Sequence, residues 1–209
     1  MADMAFWDSN DRGIWLNKLD KYWDYVKPAN RALEIEMEHL DESQVRKMPV
    51  QKFYNFLYEK YFVWKYTAPN RLATTRRYLE KHDTEQGMKS LQRIQNELFS
   101  FDKRNIEKGL EIASGINGLG IPGASGLLSI LFPEYFGTVD QFVVKALMDV
   151  NELQRKNEIL AMNPDSLKLN DGVLLIEILR SKSDELNKAN GTTEWTPRKI
   201  DKVLWVSRN

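Results

Sequence analysis

The chain has 209 residues, with 30 Lys+Arg against 30 Asp+Glu, and it contains no cysteine. That length can bury a core without covalent staples, and the missing cysteines exclude a disulfide framework, a thiolate zinc site, an iron–sulfur cluster and a cysteine nucleophile. Two histidines are too few for a His-rich metal site, and a formal charge of zero argues against a strongly electrostatic partner such as DNA, as far as a total speaks for a distribution.

The first residues, MADMAFWDSNDRG, are acidic and lack a basic region followed by an apolar core, so no signal peptide is expected. No window approaches the roughly 18 apolar residues that span a bilayer, so a cytoplasmic protein without a membrane partner is expected. Glu34, Glu36 and Glu38 read as a solvated helix face, and His39 and His82 as solvated histidines. Phe53, Phe56, Leu57, Tyr61 and Trp64 form a wide apolar stripe on one helix between Pro49 and Pro69. Further helices are predicted over about Asn70–His82, Thr84–Phe99 and Lys103–Ser114, the last ended by the glycine-rich stretch from Gly115 to Gly123. Pro122 suits the first turn of a helix through Phe132, and Val139-Asp140 opens the next. Asn170 or Asp171 can cap a helix carrying Val173, Ile176, Leu179 and Leu186. Thr196-Pro197 is a cap-plus-first-turn pair for a final helix over Pro197–Ser207. No alternating run or β-hairpin signal interrupts this pattern. The expected fold is all-α: one compact body of about ten helices over residues 1–209, with two helical lobes and a cleft near residues 116–140 as one possible arrangement.

Ile116-Asn117-Gly118-Leu119-Gly120-Ile121-Pro122-Gly123-Ala124-Ser125 is the informative segment. Its glycines match G-x-G-x-x-G, and Asp140 follows Gly120 by 20 residues, which on paper is a dinucleotide fingerprint. The strand that must feed such a loop is missing, because Arg104–Ser114 has helical spacing. A tight turn between two helices fits better, with Gly118 and Gly120 allowing positive φ and close backbone approach. The free N–H groups at the start of the second helix can then seat a phosphate.

This pattern resembles the helix–hairpin–helix DNA glycosylases related to endonuclease III. Ile116 to Gly120 aligns with the family's hairpin, Pro122 with its variable lysine position and Ala124 with the alanine after it. Val139-Asp140-Gln141-Phe142-Val143 and Leu147 align with the segment that carries the catalytic aspartate, and the 18 residues from Pro122 to Asp140 equal the family's spacing. The resemblance covers about residues 104–150, with the helix–hairpin–helix at about 104–132. It implies a glycosylase-like all-α fold and a monofunctional DNA N-glycosylase that releases a damaged or modified base, in repair or in attack on foreign DNA. Asp140 would be the catalytic carboxylate. Gly118, Leu119, Gly120, Pro122, Gly123, Ala124 and Ser125 would contact DNA, and a monomer would act on double-stranded DNA with one base flipped. No cofactor or metal is implied. Pro122 in place of lysine excludes strand cleavage through that position, and the family's iron–sulfur cysteines are absent.

A carboxylate facing C1′ can stabilise the positive charge that develops on the sugar and can orient a water. Trp7, Trp15, Trp23, Trp64, Tyr66 and Trp195 could supply stacking surfaces, although core packing is the commoner use of such residues. Asp140 is equally a good helix N-cap, and the two roles are compatible. The neutrality proves uneven along the chain: residues 50–110 carry a net +5, including Lys65, Arg71, Arg76, Arg77, Lys81, Lys89, Arg93, Lys103 and Arg104, while residues 1–49 and 111–150 carry −3 each. A local +5 can support a modest DNA footprint or simply solvated helix faces. Two further readings stand beside the enzyme: a non-catalytic helix–hairpin–helix DNA-binding protein, and an interaction scaffold that does not meet nucleic acid.

Overall fold

Helices succeed one another from end to end in the computed structural model, which describes residues 4–207. In chain order they are α1 (Arg12–Asp20), α2 (Tyr22–Tyr25), α3 (Arg31–Glu38), α4 (Glu42–Arg46), α5 (Val50–Phe56), α6 (Phe62–Lys65), α7 (Pro69–Leu79), α8 (Glu85–Ser100), α9 (Ile106–Ser114), α10 (Ile121–Leu131), α11 (Gln141–Met148), α12 (Lys156–Leu160), α13 (Leu169–Asn190) and α14 (Pro197–Val206). Single 3₁₀ turns lie at Pro28–Asn30 and Glu80–His82. Among the described residues there is no strand, and no helix is long and apolar enough to cross a membrane. The segments outnumber the ten expected, in part because the π-turn at Leu57–Tyr61 divides the expected Phe53–Trp64 helix into α5 and α6. Boundaries in the second half agree with the sequence reading to within a few residues, since each carries its own local signal. Thr196 caps α14 by accepting from the Lys199 amide, and Asp171 closes the start of α13 by accepting from the Lys168 amide at 2.8 Å.

The centre of the body is α10. Its side chains are buried from Gly123 through Leu131, as an apolar helix without a polar face must be. Helices α9, α13 and α14 pack on it, and the buried hydrophobic residues form one continuous cluster. The expected Phe53–Trp64 helix is present with a change of register. Residues Leu57–Tyr61 form a π-turn, with the Phe62 amide bonded to the Leu57 carbonyl five residues back. Such a turn inserts one residue into the helix and rotates the residues beyond it about the axis. Phe53, Leu57, Tyr61 and Phe62 all reach the core, while Trp64 and Lys65 face a cavity.

The link between α9 and α10 is a tight turn pinned from three sides. Gly118 sits at φ +95°, and a Cβ there would lie 2.6 Å from the Thr75 carbonyl oxygen. Tyr66 donates to the Gly118 carbonyl at 3.2 Å. His82 accepts from the Asn117 amide through Nε2 at 3.0 Å, while its Nδ1 lies 3.2 Å from the Gly87 carbonyl. His82 is therefore a buried neutral ring rather than a solvated one, because only the neutral imidazole with its proton on Nδ1 can accept at Nε2. Burial lowers its pKa, against the pull of the Gly87 carbonyl. Gly120, expected at positive φ, has φ −82° and ends the turn as an extended N-cap.

The turn is open to two tests. Gly118→Ala adds both a strained φ and a backbone collision, and it should lower stability by about 1–3 kcal/mol. Gly191→Ala, at φ +62° with open space around it, should cost less, and equal shifts in melting temperature would sink the close-approach argument. For His82, the unfolded chain binds the proton more readily than the folded one. Stability should therefore fall as pH drops below the ordinary histidine value of about 6.5. Urea midpoints of wild type and His82→Gln between pH 7 and 5 should show that slope in the wild type and a smaller one in the variant.

Candidate active site

Asp140 ends an extended segment and caps α11. One carboxylate oxygen, Oδ1, accepts from the Phe142 amide at 2.9 Å and from the Val143 amide at 3.4 Å. The other, Oδ2, lies 3.6 Å from Lys65 Nζ. The Asp140 side chain retains 19% of its exposure and Lys65 11%. Both line a cavity of about 320 Å³ whose walls include Tyr22, Tyr25, Trp64, Phe142 and Trp205, with Glu34, Arg198 and Asp201 among its polar groups. An aromatic lining with a few convergent charges is the usual make-up of a small-molecule pocket.

A buried ion network forms one wall. Arg198 NH1 pairs with Asp201 Oδ1 at 2.9 Å, and NH2 lies 3.5 Å from Glu34 Oε1. Glu34 also accepts from the Tyr22 hydroxyl and from the Trp64 indole, each at 2.6 Å. Asp201 Oδ2 accepts from the Thr138 amide at 2.6 Å. Burial lifts the Asp201 carboxyl to about 6, against the pull of Arg198. Burial disfavours the Arg198 guanidinium, yet Asp201, Tyr22 and Glu34 hold it above its usual value. Burial likewise pushes the Lys65 ammonium below the ordinary lysine range, with Asp140 and Asp201 opposing.

The segment that presents Asp140 is stitched to α10 as well. Ser125 Oγ accepts from the Val139 amide at 3.0 Å, and the Ser129 and Thr138 hydroxyls lie 2.9 Å apart. The start of α10 is therefore held directly against the residue preceding Asp140. The seven hairpin residues do not share Asp140's cavity. Gly118, Leu119, Gly120, Pro122 and Gly123 line a second cleft together with Tyr66, Asn70, Arg71, Thr74, Thr75 and Tyr78. Ala124 and Ser125 are fully buried, and Ser125 uses its hydroxyl internally. The segment 63–67 separates the two: Trp64, Lys65 and Thr67 line the first cavity and Tyr66 the second.

No family model matches the chain, and neither a curated protein nor a solved structure does. The resemblance to the glycosylases thus stands on the motif at residues 104–150.

Several residues of the site escaped the sequence reading. Glu34 is buried rather than part of a wet face. Glu36 and Glu38 stay at the surface, paired with Lys60 and Lys202. A signal was present: Glu34 and Glu38 are four apart on one face of α3, and Arg198 and Lys202 are four apart on α14. The structure pairs them in order, Arg198 with Glu34 and Lys202 with Glu38. Trp205, missing from the expected aromatics, joins Tyr22 and Tyr25 at ring separations of 5.4 and 6.0 Å. Trp7, Trp15 and Trp195 instead form a core cluster around Trp15. Replacing Arg198 by Met should cost about 3–5 kcal/mol, because it leaves Glu34 and Asp201 buried without their counter-ion. Chemical denaturation checks this, and a loss under about 1 kcal/mol would mean that water reaches the network.

Proposed function

We propose that the protein is a monofunctional DNA N-glycosylase that hydrolyses the bond between a damaged or modified base and its deoxyribose. The observation that carries this reading is the division of labour at Asp140. Oδ1 is committed to the α11 cap, while Oδ2 remains on the wall of an aromatic-lined cavity. A carboxylate so placed can stabilise an oxocarbenium-like sugar and orient a water toward C1′. The cavity of about 320 Å³ lies at the lower end of the range typical of ligand pockets, and its aromatic walls suit a flat base that has left the stack.

The remaining support concerns DNA. The turn at Gly118–Gly120 precedes a helix whose start no side chain caps, which leaves N–H groups for a phosphate. Arg71 lines the same cleft and has no ion-pair partner among the described residues. The basic surplus of residues 50–110 is smaller at the surface than the sequence suggests. Lys65 keeps 11% of its side-chain exposure and faces Asp140, Arg76 donates to the Tyr58 carbonyl at 2.9 and 2.7 Å, and Lys103 is bonded to the Phe101 carbonyl at 2.9 Å. Few phosphate contacts imply weak, mildly salt-dependent duplex binding.

The decisive experiment is a screen of wild type and Asp140→Asn on duplexes that each carry one modified base, read as alkali-labile abasic sites. Wild type should release at least one base, and Asp140→Asn should lose that activity while retaining duplex affinity. Removing the central catalytic group should lower the rate by at least about 100-fold, the scale of general acid–base assistance. Tight duplex binding with no release across the panel would favour a non-catalytic DNA-binding protein. Absence of both would favour an interaction scaffold.

A further inference from the structure

Several lysines are withdrawn from solvent, and their ammonium groups differ in what they touch. Lys182 donates to the Trp7 carbonyl at 2.9 Å and pairs with Glu185 at 2.7 Å. Lys202 pairs with Glu38, and Lys156 donates to the Leu147 and Met148 carbonyls at 3.2 and 2.6 Å. Lys65 is less well supplied. Its side chain keeps 11% of its exposure on the wall of the Asp140 cavity. Gly126 makes room for the stem, since a Cβ there would lie 3.2 Å from Lys65 Cδ. The one polar contact of Nζ among the described residues is the 3.6 Å approach to Asp140 Oδ2. An ammonium carries three N–H donors, so this one has donors left for whatever enters the cavity.

The other charges deep in the cavity are committed. Arg198 bonds to Asp201, Thr138 and Glu34, and Glu34 also accepts from Tyr22 and Trp64. Arg198 and the Thr138 amide take both oxygens of Asp201, while Lys27 is exposed to solvent. Two aromatic walls already share their rings with protein cations. Arg198 lies 5.4 Å from the centre of the Trp64 ring, and Lys202 lies 4.6 Å from that of Tyr22. A cationic N-alkylated base would therefore meet Lys65 and Arg198, with no carboxylate to spare except the one that serves C1′. An uncharged base meets no such repulsion. It has a different difficulty: it leaves as an anion unless a donor neutralises the electron pair it takes.

We infer that Lys65 is the proton donor to the departing base, and that the cavity takes uncharged bases in preference to cationic N-alkylated ones. This rests on the proposed base release and names the substrate class of that same site. The C1′–N bond breaks, and its electron pair goes to the base. Nζ gives a proton to a ring nitrogen or carbonyl oxygen of the base as it leaves. A water oxygen bonds to C1′, and the proton it loses passes to Asp140 Oδ2. Oδ2 returns that proton to Nζ across their contact, so both groups end as they began. Water is consumed, the free base and the abasic sugar are formed, and no oxidation state changes. Burial pushes the Lys65 ammonium below the ordinary lysine range, against the pull of Asp140 and Asp201, which makes it a better acid than a solvated lysine.

Leaving-group dependence provides the test. Duplexes carry each uncharged base of the modified-base screen, uracil and hypoxanthine among them, or cationic 7-methylguanine. The uncharged bases are also supplied with a ring halogen that acidifies them, as in 5-fluorouracil and 8-bromohypoxanthine. Single-turnover release is measured for wild type, Lys65→Met and Asp140→Asn, with melting temperature and duplex affinity as checks on folding and binding. Wild type should accelerate release of an uncharged base more than that of 7-methylguanine, and it should gain little from the halogen. Lys65→Met should lose about 100-fold or more on the plain base and recover a large part of that on the halogenated one. Asp140→Asn should lose rate equally on both, because it acts at the sugar. No loss in Lys65→Met, an equal loss on both members of a pair, or acceleration of 7-methylguanine alone overturns the inference and leaves the glycosylase reading intact. Release of no base from any duplex removes that reading and the inference with it. If Lys65→Met fails to fold, the wild-type series decides: a steep gain from the halogen overturns the assignment, and a shallow one supports it.

Discussion

A guanidinium removed from water must be surrounded by acceptors, and Arg198 meets that demand with Asp201 on its own helix and Glu34 on α3. Removing a charge from water costs several kcal/mol per ion, and an incomplete shell does not offset it. Glu34 in turn needs the Tyr22 hydroxyl and the Trp64 indole, and Asp201 accepts from the Thr138 backbone. Five parts of the chain converge on one group: α2, α3, α6, α14 and the segment leading to Asp140. The cavity is the space those parts leave between them. Its shape arises from an electrostatic requirement as much as from apolar packing.

The same segment is held from the opposite side by Ser125 and Ser129 of α10. Thr138 and Val139 therefore have partners both in the central helix and in α14. This explains how Ser125 and Val139, 14 residues apart along the chain, come into direct contact, since α10 runs away from its start and the segment after Phe136 returns to it. Asp140 emerges from two fixed residues into the first turn of α11. Its Oδ1 accepts two amides there, which sets the rotamer and with it the direction of Oδ2. An N-cap and a catalytic carboxylate are compatible uses of one residue because they engage different oxygens.

The features legible in the sequence had local causes. The all-helical character, the Thr196-Pro197 start, the Asp140 cap and the turn at Gly118 each depend on residues within one or two turns of one another. The features that were not legible depend on partners far along the chain. Glu34 and Glu36 look alike in sequence, yet they point to opposite sides of α3, and only Glu34 meets a helix more than 160 residues later. His82 looks like a solvated histidine until the Asn117 amide is placed against it. The π-turn at Leu57–Tyr61 leaves no trace in an apolar stripe, because the stripe is wide enough to read as a regular helix in either register. That one-residue insertion nevertheless directs the stretch that carries Trp64 and Lys65. The Asp140 cap was thus readable from the sequence, while the residues that wall the cavity beside it were not.

Zero net charge acquires a structural meaning from these placements. Lys65, Arg76 and Lys103, all in the most basic part of the chain, are committed to interior or intramolecular partners. Cations used this way cannot also neutralise phosphates, so the region that looks most suited to DNA contributes less surface field than its count implies. On the proposed reading, charge therefore holds the duplex less firmly than the count suggests. The turn before α10 and the aromatic-lined cavity lie on either side of residues 63–67. A ligand that engages both must span that wall, which is the demand that the proposed reading places on an extruded nucleotide. Asp140 and Lys65 both line the cavity on one side of it.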